Sequence, residues 1–82
     1  MARQVKPSVN RSPLSIRVGR EIRKARGQMG LSQERLAELA DLSKNYIGNI
    51  ERGEYEVTVS TLNRIAGALR LKTSELLSGA GY

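Results

Sequence analysis

Lys44, Asn45, Asn49 and Arg52 are the residues of this chain best equipped to engage another molecule, and they crowd into residues 43–52, SKNYIGNIER. On a helical wheel at about 100° per residue, Tyr46, Ile50, Ser43 and Ile47 cluster on one side, with Glu51 at its edge. Lys44, Gly48, Arg52, Asn45 and Asn49 take the other. Lysine and asparagine amides on an exposed helix face carry the donors and acceptors that read base edges and hold phosphates. Gly48 in the middle of that face admits close approach of a partner, or is a tolerated defect that costs the helix about 0.5–1 kcal/mol.

The elements around these residues read as helices. Residues 31–53 form two short helices joined by a tight turn at Asp41 and Leu42, with Ser32 and Ser43 as N-caps and Gly53 as the stop. Leu36, Leu39 and Ala40 are expected to face inward. Ahead of this pair, Val18, Ile22, Ala25 and Met29 make one apolar stripe at i, i+4, i+7 and i+11. Arg17, Arg20, Glu21, Arg23 and Lys24 cover the rest, and Gly30 ends the helix. Residues 54–59 read as a loop, with Thr58 or Ser60 capping a fourth helix whose Leu62, Ile65, Ala66 and Leu69 share a face. A short fifth helix lies around residues 74–77. The expected fold is all-α, a compact five-helix domain over residues 14–78, with a flexible basic arm at 1–13 and a frayed end at 79–82. The arm holds both prolines and three cations without an anion; it is either a minor-groove contact or a disordered terminus.

Composition narrows the function classes. The 82 residues carry 14 Lys and Arg against 8 Asp and Glu, a formal charge of +6, which favours polyanionic partners. There is no cysteine and no histidine, which excludes disulfides, zinc-finger chemistry and most general-base catalysis. No catalytic residues, metal or cofactor are expected, and the chain is not read as an enzyme. No apolar run approaches a membrane span, so the expectation is a cytoplasmic, nucleoid-associated protein without membrane contacts.

Three segments, GLSQERLA from Gly30, YIGNIERG from Tyr46 and LNRIA from Leu62, strongly resemble the phage-repressor-like helix-turn-helix family, the Cro/CI or xenobiotic-response-element type. The resemblance runs from about Val18 to Leu77 and is greatest to small restriction–modification controller proteins and compact phage repressors. It implies a lambda-repressor-like fold with the third helix in the major groove of double-stranded DNA. Lys44, Asn45 and Asn49, with Gln33, would contact bases; Ser32, Ser43, Tyr46 and Arg52 would contact phosphates. Gln33 would alternatively brace a side chain of the recognition helix, and Tyr46 would be explained as well by packing. The family's pattern pairs Glu51 with Arg26, with Arg23 the competing partner one turn away.

The loop 54–59 departs from relatives in lacking Asn-Pro and in carrying two acids. Val57 and Val59, with Leu71, Leu76 and Leu77, either build a dimer seam or close a small core. The expected function is transcription regulation by a homodimer on a palindromic operator, blocking or recruiting RNA polymerase, with no room left for a ligand-sensing domain. The alternative is an antitoxin that binds a toxin protein and autoregulates its operon.

Overall fold

Side-chain hydroxyls set where four of the five helices among the described residues begin. The computed structural model describes residues 12–82, and there Ser12, Ser32, Ser43 and Thr58 each accept a hydrogen bond from the backbone N–H three residues on, at 3.1, 3.0, 3.1 and 3.1 Å. They start α1 (Pro13–Gln28), α2 (Gln33–Ala40), α3 (Lys44–Glu51) and α4 (Val59–Ala68). The fifth helix, α5 (Thr73–Gly79), starts at Lys72, whose backbone N–H donates to the Glu75 carboxylate at 2.8 Å.

All five of the described helices stop in one way. Gly30, Asp41, Gly53, Arg70 and Gly81 adopt positive φ. The N–H after each reaches back five residues: Leu31 to Arg26, Leu42 to Ala37, Glu54 to Asn49, Leu71 to Ala66 and Tyr82 to Leu77, all at 2.8–3.0 Å. This is the Schellman closure, which satisfies carbonyls the helix would otherwise leave unpaired. Glycine at three of the sites is expected. Asp41 (φ 59°) and Arg70 (φ 60°) hold the same conformation against the steric cost of a β-carbon.

The described residues form five helices and no strand, as expected. α1 packs on α3 and α5, α2 on α3 and α4, and α4 on α5. Between them lie Ile22, Leu36, Ile47, Ile50, Ile65 and Leu76, all but fully buried, with Val18, Leu62 and Leu69 around them. No described helix is long and apolar enough to cross a membrane.

Several boundaries and faces differ from expectation. Residues 1–11 of the expected arm lie outside the described residues, but Ser12 and Pro13 belong to α1 as its cap and first residue, the position where proline's missing N–H costs nothing. The end at 79–82 is not frayed: Gly79 closes α5, Ala80 is buried, and Tyr82 stacks against the Arg17 guanidinium, 5.7 Å from its ring centroid. Leu39 does not face inward but stands half exposed, because α4 covers the side of α2 that holds Leu36 and Ala40; Met29, at the end of the α1 stripe, is exposed as well. Leu76 is 1% exposed and belongs to the chain's own core, so it is not available for the dimer seam in which it was expected.

Gly19 decides how closely α1 approaches α3. A β-carbon there would collide with the carbonyl oxygens of Ile50 and Glu51, so the two backbones touch at the C-terminal end of α3. This contact sets the depth at which α3 is seated.

Candidate nucleic-acid interface

α3 turns Ile47 and Ile50 into the core and leaves Lys44 and Asn45 exposed, with Asn49 half-buried beside them. The N-terminal turn of α2 adds Gln33. Together with Gly48 and Arg52 these side chains line one open, polar depression of about 290 Å³. The structure therefore brings together all four residues expected to contact bases, on two helices.

Behind this face lies a hydrogen-bonded lock. Arg26 Nε and Nη2 donate to Glu51 Oε2 and Oε1 at 2.6 and 3.1 Å, and Arg26 Nη1 donates to the Leu31 carbonyl at 2.8 Å. Gln33 Nε2 donates to Glu51 Oε1 at 3.0 Å. The Glu51 side chain is 2% exposed and that of Arg26 16%. A buried carboxylate needs such partners, and a bidentate guanidinium supplies them in fixed geometry. The Glu51 hydrogen bond raises the Arg26 pKa; burial opposes the rise and attraction to the carboxylate adds to it. Arg26, not Arg23, is the partner, and the lock ties α1 and the α2 start to the end of α3. Gln33 is fixed from behind, the bracing role left open from its residue type.

Gly48 has a packing reason as well as an outward one. A β-carbon there would lie 3.2 Å from Arg52 Nη1 and 3.6 Å from Gln33 Oε1. Glycine lets both side chains fold across the helix. Arg52 Nη2 donates to Asn49 Oδ1, and Arg52 Nε reaches Glu54 Oε2 at 3.2 Å. The Asn49 oxygen is thus engaged, which leaves its amide N–H groups to donate, whereas Asn45 makes no side-chain hydrogen bond among the described residues. The Glu54 charge is met by Arg52, which offsets one of the two loop acids.

The residues expected at phosphates flank this face. Ser32 and Ser43 use their oxygens as caps, and each keeps an O–H to donate. Tyr46 is half-buried and its ring lies 5.9 Å from that of Tyr55 at 43°, so the loop 54–59 rests on α3 through an aromatic pair that the residue pattern had not flagged. Of the residues assigned to a dimer seam, Val59 is 78% exposed, and Val57, Leu71 and Leu77 are half-buried. Val57, Val59 and Leu77 line a shallow groove of about 340 Å³ with Leu14 and Val18 of α1. Leu71 lies outside it, and the half-exposed Leu14 is a member that periodicity had left unassigned.

The helix-turn-helix family model matches residues 22–76, from the middle of α1 into α5. The chain belongs to the helix-turn-helix family. Its relatives are named as a phage immunity repressor, control proteins and helix-turn-helix transcriptional regulators. It is 42% identical over 60 residues to the immunity repressor protein of Bacillus phage phi105, covering 73% of this chain and 42% of the repressor. To the control protein C.SmaI of Serratia marcescens it is 45% identical, covering 73% of this chain and 71% of that protein. The chain thus spans less than half of the phage repressor but most of the controller. Among solved structures, the biofilm regulator SinR in complex with DNA superposes with a TM-score of 0.69 at 30% identity, covering 73% of this chain and 97% of SinR.

Proposed function

We propose that the chain represses or activates transcription as a homodimer on a palindromic operator, with α3 in the major groove. The observation that carries this reading is the shared depression of Gln33, Lys44, Asn45, Gly48 and Asn49, held from behind by the Arg26–Glu51 lock. Lys44 donates to guanine O6 and N7, and Asn45 pairs with adenine through N6 and N7, each good contact discriminating by about 1–3 kcal/mol. Asn49, its oxygen held by Arg52, donates to a base acceptor. Gln33 contacts a base or phosphate at the groove edge. Ser32, Ser43, Tyr46 and Arg52 hold phosphates on either side.

One α3 reads too few base pairs to select an operator, and dimerisation through the groove at Val57, Val59, Leu77 and Leu14 supplies a second. A symmetric pair places the two helices about 34–36 Å apart, on half-sites one turn apart. Relatives named as repressor and control protein support regulation over the antitoxin alternative. Selection of bound sequences from random duplex DNA at near-physiological salt tests the reading. A palindrome with half-sites about one turn apart is expected, and Asn45→Ala should alter the preferred sequence. Binding that depends on salt but ignores sequence would overturn it.

A further inference from the structure

Beside the base-facing depression lies a second cationic cleft. Ile16, Arg20 and Arg23 follow at i, i+4 and i+7 along α1, so they share one face. That face borders the C-terminal end of α3, where Arg20, Arg23 and Arg52 surround an open cleft of about 290 Å³. Glu51 also lines it, but its carboxylate is committed to Arg26 and Gln33. Arg20 and Arg23 are exposed, and neither enters an ion pair among the described residues. Arg52 lines both depressions, so the two lie side by side.

Arg52 is engaged with Glu54 and Asn49, but Arg20 and Arg23 carry uncompensated charge on this cleft, and guanidinium forks match the geometry of phosphate oxygens. A helix lying in the major groove is walled by sugar–phosphate backbone, so an element bordering the end of α3 meets phosphates rather than bases. We infer that Arg20 and Arg23 of α1, with Arg52, form a cradle for DNA backbone phosphates beside the recognition helix. The cradle adds affinity and footprint but no sequence information. It rests on the DNA-binding reading above.

The test compares three double variants with the parent chain: Arg20→Gln/Arg23→Gln, the conservative Arg20→Lys/Arg23→Lys, and the charge-matched Arg70→Gln/Lys72→Gln on the α4–α5 turn. Affinity is measured by fluorescence anisotropy on the selected duplex and on a scrambled one, from 50 to 200 mM salt. Each phosphate contact contributes about 0.9 to the slope of log affinity against log salt, so Arg20→Gln/Arg23→Gln should flatten it by about 1.8 on both duplexes. Over the fourfold rise in salt, that variant then loses about 12-fold less affinity than the parent. The ratio between duplexes should stay constant, and the lysine variant should keep most of the slope. An unchanged slope in Arg20→Gln/Arg23→Gln, or an equal flattening in Arg70→Gln/Lys72→Gln, overturns the cradle. If the parent fails to distinguish the duplexes, the operator reading fails alone, and the slopes on the scrambled duplex still decide the cradle.

Discussion

Arg26→Ala removes three hydrogen bonds at once, two to the Glu51 carboxylate and one to the Leu31 carbonyl. It leaves a carboxylate 2% exposed with only Gln33 donating to it. Breaking a buried pair by deleting one partner costs about 3–5 kcal/mol, chiefly because the remaining charge stays buried. The Arg26 side chain is 16% exposed, so water can enter the vacated space, and Gln33 remains. Both push the cost to the lower end, about 3 kcal/mol. For a domain this small that corresponds to a fall in melting temperature of about 12–24 °C. Urea unfolding followed by far-UV circular dichroism measures it, with DNA affinity recorded at a temperature where the variant is folded. Arg26→Met combined with Glu51→Leu separates the causes, because replacing both partners with apolar residues of similar size is expected to restore stability to within about 1 kcal/mol. DNA affinity should stay low, since Gln33 loses the acceptor that orients it. A cost below about 1 kcal/mol for Arg26→Ala would mean that the lock does not hold α3. Equal losses in single and double variants would assign the effect to packing instead.

Gly19→Ala gains about 0.5–1 kcal/mol of helix propensity but drives a methyl group into backbone carbonyls that cannot swing away, so urea unfolding should report a net loss of about 2 kcal/mol. In Gly48→Ala the added methyl meets only the movable ends of Arg52 and Gln33; stability should hold or rise by up to about 1 kcal/mol while anisotropy shows at least roughly tenfold weaker DNA binding. Arg70→Gly relieves a left-handed residue and should stabilise the fold by about 0.5–1 kcal/mol in thermal unfolding, the cost of glycine's chain entropy being subtracted. The raised Arg26 pKa means that its pairing stabilises fully below the ordinary arginine range and is lost only as pH climbs through the raised value. The stability difference between the parent and Arg26→Ala should therefore stay constant from pH 7 to pH 9.

Helix starts and the polar face of α3 were legible in the sequence because their causes are local. A serine hydroxyl caps a backbone N–H three residues away, and the 3.6-residue period sorts Ile47 and Ile50 from Lys44 and Asn45 without knowledge of any other element. The Arg26–Glu51 pairing was readable only through the family resemblance, since residue types alone admitted Arg23 equally. Glycine marked three of the five helix ends; Asp41 and Arg70 took the same conformation without a compositional sign.

Other features had no local cause. Leu36 and Leu39 are both apolar and near in sequence, yet only the placement of α4 buries the first and exposes the second. Leu76 looked like a seam residue until α1 and α4 packed around α5. Gly19 sits unremarked in a basic helix, although a glycine in a helix interior is itself a hint of close backbone approach. The Gln33–Glu51 and Arg52–Asn49 hydrogen bonds, and the cleft that brings Arg20 and Arg23 beside Arg52, exist because three helices meet at one corner. The sequence by itself determined which segments are helical, which face of α3 is polar and that the net charge favours a polyanionic partner, since propensity, capping and charge act over a few residues. The tertiary structure alone decided what braces that face and what flanks it, because distances between helices depend on how whole surfaces pack.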